Sequence, residues 1–234
     1  MTSTRLPGKV ILPIMARPTL DLLIERLRRS KCLDGVVVAT TTNATDDVLE
    51  SLAERMGVEC FRGSEEDVLG RVLGAAHATG TELIVEITGD CPLVDPAIID
   101  ELVGIFRAGR YHYVSNTLRR TYPRGLDAQV FSTGTLAEVA SLTDDPADHE
   151  HVSLYIYEHP ERFSLFNLDS GLPEKYWDTR LTVDTPEDFE LVRRIYEALY
   201  PENPGFATKE VLAFLDAHPG LLDLNRHIHQ KTVR

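Results

Sequence analysis

Three cysteines in 234 residues, none of them in a CxxC pair, give no disulfide or metal-binding framework to read. Cys32, Cys60 and Cys91 are expected to be small buried residues of a protein kept in a reducing compartment. Long apolar runs are missing too. Val36-Val37-Val38-Ala39 is typical of the longest, far short of the roughly twenty residues a membrane-spanning helix needs. No basic-then-apolar segment opens the chain, so a cytoplasmic protein is expected. Basic charge is scarce: 24 Lys and Arg face 37 Asp and Glu, a net charge of −13 that argues against a nucleic-acid partner. The patterns GxxxxGK[ST], HExxH and GxSxG are absent, which removes P-loop, zincin and serine-hydrolase chemistry. The eight histidines form no zinc set, and His227 and His229 are expected to be solvated. His149 and His151 cannot share a helix face at that spacing, and His151 is expected to be the one that faces a site.

What basic charge there is sits at one end. Residues 1–31 carry Arg5, Lys9, Arg17, Arg26, Arg28, Arg29 and Lys31 against only Asp21 and Glu25, a local net of +5. A basic patch on an acidic protein suits a compact polyanion such as a nucleotide triphosphate. Arg26, Arg28, Arg29 and Lys31 are expected on a solvated helix face, whereas Arg5 and Lys9 lie in a loop and need another explanation.

Hydrophobic periodicity alternates between helix and strand. Leu20, Leu23, Ile24 and Leu27 share a helical face, and Val36 to Ala39 reads as a core strand. A helix capped by Asp46 or Asp47 and stopped by Gly57 follows, then a strand at Val58 to Phe61. Val68 to Leu73 reads as a helix, Leu83 to Thr88 as a strand, and Asp95-Pro96 as a capped helix start. Farther on come strands at Tyr111 to Ser115 and Ala128 to Ser132, a helix from Ala147 to Glu158, and strands near Phe163 to Leu168 and Arg180 to Val183. Helices starting at Pro186 and Thr208 complete the chain.

This βαβα order predicts an α/β fold with a mostly parallel sheet and helices on both faces. No repeat or linker divides it, so residues 1–234 are expected to form a single domain. Ligands in such folds bind beyond the carboxyl ends of strands. The opening residues, Met1 to Lys9, have loop character with no strand before them. A phosphate loop normally follows a central first strand, so Met1 is expected to be internal to a chain starting about ten residues earlier.

Three motifs carry chemistry. Ser3-Thr4-Arg5-Leu6-Pro7-Gly8-Lys9 joins hydroxyls, two cations and a turn, all suited to phosphate oxygens; a plain surface turn is the alternative. Thr88-Gly89-Asp90-Cys91-Pro92-Leu93 puts a hard carboxylate at a strand end, with a glycine that lets a ligand approach. Val183-Asp184-Thr185-Pro186 offers a second carboxylate, or a simple helix cap. Paired, Asp90 and Asp184 could hold a divalent metal against a triphosphate.

These blocks, with Arg62-Gly63-Ser64, Tyr113-Val114-Ser115-Asn116-Thr117, Gly125-Leu126-Asp127 and Glu150-His151-Val152, occur in an order that resembles the spore coat polysaccharide biosynthesis protein F family. Its members are relatives of the CMP-KDO and CMP-sialic acid synthetases, and the resemblance spans about residues 1 to 195. It implies a Rossmann-like nucleotidyltransferase fold, with its first strand missing here, and transfer of CMP from CTP to an acidic sugar with Mg²⁺. By position, Ser3, Thr4, Arg5 and Lys9 would bind the CTP phosphates, with Thr40, Gly63, Ser64 and Asp67 near ribose and base. Asp90 and Asp184 would bind the metal and, with Arg5 and Lys9, form the catalytic set. Asn116, Arg119, Arg120, Arg124, Gln129 and His151 become acceptor candidates. The acceptor could be a nonulosonic acid, another keto-sugar acid or a phosphonate, in surface polysaccharide biosynthesis. A homodimer completed by a projecting segment at 111–132 is implied as well.

Three positions depart from the family pattern: the opening strand with its following Arg is absent, Ala16 replaces a usual Gly, and Glu86 replaces a common Arg. A sugar-nucleotide-dependent glycosyltransferase and a non-catalytic nucleotide-binding protein remain as rival readings. The first usually shows a DxD pair, whereas Asp90 is followed by Cys91-Pro92.

Overall fold

The loop Ser3–Gly8 leads into a single 3₁₀ turn, Lys9–Ile11, and then a minimal hairpin of β1 (Pro13–Ile14) and β2 (Arg17–Pro18). A computed structural model describes Met1 and residues 3–230, and these are the residues considered below. The hairpin turns through Met15 and Ala16, both left-handed, with φ of 52° and 62°. Two-residue hairpins need such backbone geometry, which explains why glycine suits position 16. Alanine there costs about 1 kcal/mol of backbone strain.

Helix α1 (Thr19–Leu27) buries Leu20, Leu23, Ile24 and Leu27 as its spacing predicts, and also Leu22 and Arg26. Arg26 is therefore not on a solvated face. Its Nε donates to the Val94 carbonyl at 2.8 Å, and its guanidinium lies 4.6 Å from the centre of the Phe206 ring. The apolar contact area of a long side chain outweighs the expectation from its charge.

Strand β3 (Val37–Thr41) is followed by a 3₁₀ turn and α2 (Asp47–Met56), which Gly57 ends in left-handed conformation. Strand β4 (Glu59–Gly63) pairs parallel with β3, and α3 (Val68–Thr79) starts at an Asp67 cap. Then come β5 (Leu83–Glu86) and α4 (Pro96–Arg107), the latter capped by Asp95 with Pro96 in its first turn. Strands β6 (Tyr113–Ser115) and β7 (Gln129–Ser132) precede α5 (Thr133–Ala140), a helix the periodicity did not reveal. The expected helix 147–158 is two short ones, α6 (Pro146–Glu150) and α7 (Leu154–Glu158). Between them Val152 takes a φ of 45°, outside the helical range. Strand β8 (Leu165–Asn167), α8 (Pro186–Leu199) and α9 (Thr208–Ala217) complete the elements.

Strands pair in the order β5-β7-β6-β8, with β7 antiparallel to both neighbours and β8 parallel to β6. Three of these four strands thus run one way. Residue alternation sorts the side chains between two cores. Val114 and Val130 join the larger core with Leu23, Ile99, Leu102, Leu191 and Ile195. Tyr113, Phe131 and Ile84 join the smaller one with Leu69, Leu136, Val139 and Phe163. Helices therefore cover both faces, giving the expected α/β architecture. Tyr113–Ser115 and Gln129–Ser132 lie inside this sheet, with Tyr113, Val114 and Phe131 fully buried, so 111–132 does not project as a whole. Only the loop between those strands lies outside the sheet.

The expected strand Arg180 to Val183 is an extended segment with one bridge, between Arg124 and Arg180. Its amides serve a loop instead: Leu181 N–H donates to the Arg124 carbonyl and Val183 N–H to the Asp90 carbonyl. Among the described residues, no helix is long and apolar enough to cross a membrane.

The β3–β4 pair and the four-stranded sheet are separate, and between β3 and β5 lies a cavity of about 420 Å³. Its walls are mainly apolar, including Leu23 and Ile24 on one side and Val72 and Ala75 on the other. Glu86 faces the same cavity, and burial raises its pKa to about 8.

Candidate active site

The two aspartates meet because their backbones are tied together. The Asp90 carbonyl accepts the Val183 N–H at 2.8 Å and the Thr182 hydroxyl at 3.1 Å. This brings the loop after β5 against the extended segment before α8. Thr88 Oγ1 then donates to Asp90 Oδ1 at 2.5 Å, fixing that carboxylate from its own loop. Gly89 permits the turn to sit close to the opening segment, since a Cβ there would lie 3.1 Å from Val10.

Asp184 is held from behind. Its N–H donates to Asp188 Oδ2 at 3.2 Å, and Arg180 Nη2 reaches its Oδ2 at 3.3 Å. The α8 cap is Thr185, in a reciprocal capping box with Asp188. Asp184 is thereby released from the simple capping role its position allows. Arg180 and Asp188 form a buried pair at 3.0 Å, and Asn225 Nδ2 donates to both the Arg180 carbonyl and Asp188.

Lys9 closes the arrangement. Gly8, at φ 68°, starts the 3₁₀ turn that carries it. Lys9 Nζ lies 2.6 Å from Asp90 Oδ2 and 2.9 Å from Asp184 Oδ1. Those two oxygens are thus no farther apart than the sum of these distances, 5.5 Å. Arg5 Nη2 adds a contact to Asp184 Oδ2 at 3.1 Å. Burial alone would raise the Asp184 pKa, but Lys9, Arg5 and Arg180 outweigh it and hold the carboxyl below its ordinary value. For Lys9, burial opposes the charge while Asp90 and Asp184 favour it, and the net shift is upward. A cation thus bridges the two carboxylates where a divalent ion would be attracted. Among the described residues, no group of three or more carboxylate, histidine or cysteine side chains could hold a metal by itself. Two carboxylates with substrate phosphates completing the shell suit the hard, partly hydrated ion that Mg²⁺ is.

Beside Lys9 opens a second cavity, of about 270 Å³, lined by Ser3, Gly8, Thr40, Thr41, Asp46 and Arg71 among others. Asp46 stands at the N-cap position of α2, but its side chain makes no capping hydrogen bond there. It accepts from Thr40 Oγ1 at 2.6 Å and Thr41 Oγ1 at 2.8 Å, and with those bonds its pKa falls well below the ordinary value despite burial. Gly63, Ser64 and Asp67 are not in this cavity's wall. Asp67 caps α3 through Gly70 N–H at 2.8 Å and meets His149 Nδ1 at 2.6 Å, so its carboxylate is engaged structurally. Gly63 lies where a Cβ would meet the Arg71 side chain at 2.9 Å, a steric reason for its identity.

The acceptor candidates divide. Asn116 is fully buried and braces its loop, donating to the Leu126 carbonyl at 2.8 Å and accepting from Ala128 N–H at 2.9 Å. Gln129 Oε1 accepts from Tyr113 and from Ser153 Oγ, the latter at 2.5 Å. Both amides are committed to the fold rather than to a ligand. Arg119 is exposed and paired with Asp169, and Arg120 forms a forked pair with Asp127 at 2.8 and 3.2 Å. Arg124 differs: no side-chain hydrogen bond or ion pair engages its guanidinium among the described residues. Burial, then the charges of Arg120 and Arg180, lower its pKa despite nearby Asp127. His151 lies at the break between α6 and α7, and neither it nor His149 is bonded to Asp90 or Asp184.

The sequence reading missed Thr88 as an orienting group, and Arg180, Asp188 and Asn225 as the support behind Asp184. Thr185-x-x-Asp188 was a visible capping box; the Arg180 contact needed the loop to fold back.

Comparison with known proteins supplies the class. The structure is similar to that of a CMP:2-keto-3-deoxy-manno-octonic acid synthetase complexed with CTP, with TM-score 0.62 and 18% identity. The match covers 83% of this chain and 94% of that one, a likeness of fold. The fold is that of nucleotidyltransferases. A cytidylyltransferase from Leptospira borgpetersenii is far nearer: TM-score 0.89 and 34% identity, covering 98% of this chain and 95% of that one. The spore coat polysaccharide biosynthesis protein SpsF of Bacillus subtilis is 34% identical, over 94% of this chain and 92% of that protein. Residues 1–211 match the cytidylyltransferase family, and the chain belongs to it as a CTP-dependent nucleotidyltransferase.

Removing the buried support should be felt as stability. Asp188→Ala leaves Arg180 short of a partner and opens the capping box, and is expected to cost about 3 kcal/mol. Urea unfolding followed by Trp177 fluorescence measures it; an unchanged midpoint would mean the pair carries no structural load.

Proposed function

We propose that this protein transfers the cytidylyl group of CTP to a small acidic sugar, releasing pyrophosphate, as a step in building a surface polysaccharide. The observation that carries the reading is the meeting of Asp90 and Asp184 around Lys9, beside a polar cavity sized for part of a nucleotide. In this reading the ribose and base occupy the cavity bounded by Ser3, Thr40 and Thr41. The attacking group is an acceptor hydroxyl, in line with the bond from the α-phosphorus to the departing pyrophosphate.

Asp90 and Asp184 would hold Mg²⁺, which when bound supplies Lewis-acid polarisation of the α-phosphate and acidifies the acceptor hydroxyl. Arg5 and Lys9 offset the negative charge that grows on pyrophosphate as it leaves. Arg180 and Asp188 keep Asp184 in position through the step. Arg124, with no partner of its own among the described residues, is the guanidinium best suited to an acceptor carboxylate. The names of the relatives support an acidic sugar and a polysaccharide pathway: one is a keto-deoxy-octonic acid synthetase, another a spore coat polysaccharide protein. Working as a cytoplasmic homodimer, the chain would use the loop between β6 and β7, with exposed Leu118 and Arg119, to complete the acceptor site.

A pyrophosphate-release assay with CTP, Mg²⁺ and a panel of acidic sugars tests this. Asp90→Asn should lower kcat by about a hundredfold or more. Near-normal turnover in that variant removes the metal role. With the sugar that the unaltered enzyme accepts, Arg124→Ala should raise the acceptor KM by about tenfold, the loss of one charged hydrogen bond, and leave the KM for CTP unmoved. An equal rise in both constants would assign Arg124 to general folding instead.

A further inference from the structure

Behind Asp184 the chain returns in a segment that carries none of the three chemical motifs. A 3₁₀ helix, Pro219–Leu224, lays Leu221, Leu222 and Leu224 against the larger core. Arg226 N–H donates to the Leu222 carbonyl and Ile228 N–H to that of Asn225, so the chain turns tightly through residues 225–228. The family match ends at residue 211, and this segment lies beyond it.

Two of its side chains reach the groups that support Asp184. Asn225, which is buried, donates from Nδ2 to the Arg180 carbonyl at 3.0 Å and to Asp188 Oδ1 at 2.8 Å. Gln230, exposed at the surface, accepts at Oε1 from Arg180 Nη1 at 2.9 Å. Asp188 takes a fork from the same guanidinium, Nε at 3.2 Å on Oδ1 and Nη2 at 3.0 Å on Oδ2. Its Oδ2 also accepts the N–H groups of Asp184 and Thr185, each at 3.2 Å. All three nitrogens of the Arg180 guanidinium are therefore held, two by Asp188 and the third by Gln230.

A guanidinium is planar and rigid, so fixing Nε and Nη1 also fixes where Nη2 points. It points to Asp184 Oδ2, at 3.3 Å. With Oδ2 turned back toward Arg180, and Arg5 beside it, Oδ1 is the oxygen presented to Lys9. Groups that ligate a metal depend on such outer partners, and losing one costs roughly ten- to a hundredfold in affinity or activity.

We propose that residues 219–230 position Asp184 for the reaction: Asn225 steadies Asp188, and Gln230 holds Arg180 in the rotation that turns Asp184 Oδ1 toward the site. This role rests on the cytidylyl-transfer reading above. Asn225 and Gln230 are positioning residues, acting through Arg180 and Asp188 and not on the substrate. Gln230 acts as a hydrogen-bond acceptor, so a side chain of equal length without an acceptor cannot replace it. Its exposure means that replacing it leaves the core intact.

The test compares Gln230→Met, which keeps the length and removes the acceptor, with Gln230→Glu, which keeps the acceptor. Gln230→Met should lower kcat about tenfold, with the KM values for CTP and acceptor unmoved. It should also weaken Mn²⁺ binding to the CTP-bound protein, followed by electron paramagnetic resonance, by about tenfold. Gln230→Glu should return both quantities to within about threefold of the unaltered protein. All three forms should melt within about 2 °C of one another. Equal kcat and equal Mn²⁺ affinity in Gln230→Met overturn the proposal. A loss that Gln230→Glu shares overturns it as well, because the position would then matter for packing. So does a melting drop of about 5 °C or more in Gln230→Met, which would make the loss one of folding. Should the unaltered protein release no pyrophosphate with any acidic sugar, the transfer reading fails by itself, and the Mn²⁺ titration still decides whether Gln230 positions Asp184.

Discussion

One backbone hydrogen bond, from Val183 N–H to the Asp90 carbonyl, sets the condition that the rest of the site answers. It brings together two loops 93 positions apart in sequence, and with them two carboxylates whose nearest bridged oxygens are within 5.5 Å. At that range two like charges repel by roughly 3 kcal/mol at an effective dielectric of about 20. The arrangement needs positive charge close by, and the sequence supplies it. Lys9 lies between the carboxylates, Arg5 approaches Asp184 from the same opening loop, and Arg180 supports it from the protein side. The basic opening of an otherwise acidic chain is, in part, the local answer to a repulsion built into the fold.

That logic also links the site to its reaction. In the proposed function, the pair of carboxylates beside the cationic loop would bind a metal and a triphosphate together without any dedicated three-ligand cage. Each group has support of a different kind: a threonine hydroxyl for Asp90, a buried arginine and a capping box for Asp184, a glycine turn for Lys9. Groups held by such contacts would meet a substrate with little reorganisation.

Much of this was legible before any coordinates. Asp90 stood out because a carboxylate after an apolar strand and a glycine has few structural uses, and Lys9 and Arg5 because cations in a loop have no helix face to solvate. Asp184 was ambiguous by itself, and Thr185 resolved it by taking the cap. The misreadings share a cause: polar residues whose partners come from distant or folded-back segments. Asn116 braces a loop through Leu126 and Ala128, and Gln129 serves Tyr113 and Ser153. Arg26 is drawn inside by the Val94 carbonyl and the Phe206 ring. Composition and periodicity carry no information about such pairings. The break at Val152 was hidden as well, since apolar spacing continues across it while the backbone turns left-handed.

The central claim is that Lys9 marks the place where a divalent ion and the α-phosphate come together. Crystals grown with CTP and Mn²⁺, examined by anomalous scattering, test it most directly. The account predicts one metal peak within about 2–2.5 Å of carboxylate oxygens from both Asp90 and Asp184, with Lys9 Nζ moved from between them toward phosphate. A metal held by the triphosphate alone, with the Lys9 bridge to both aspartates intact, would contradict it.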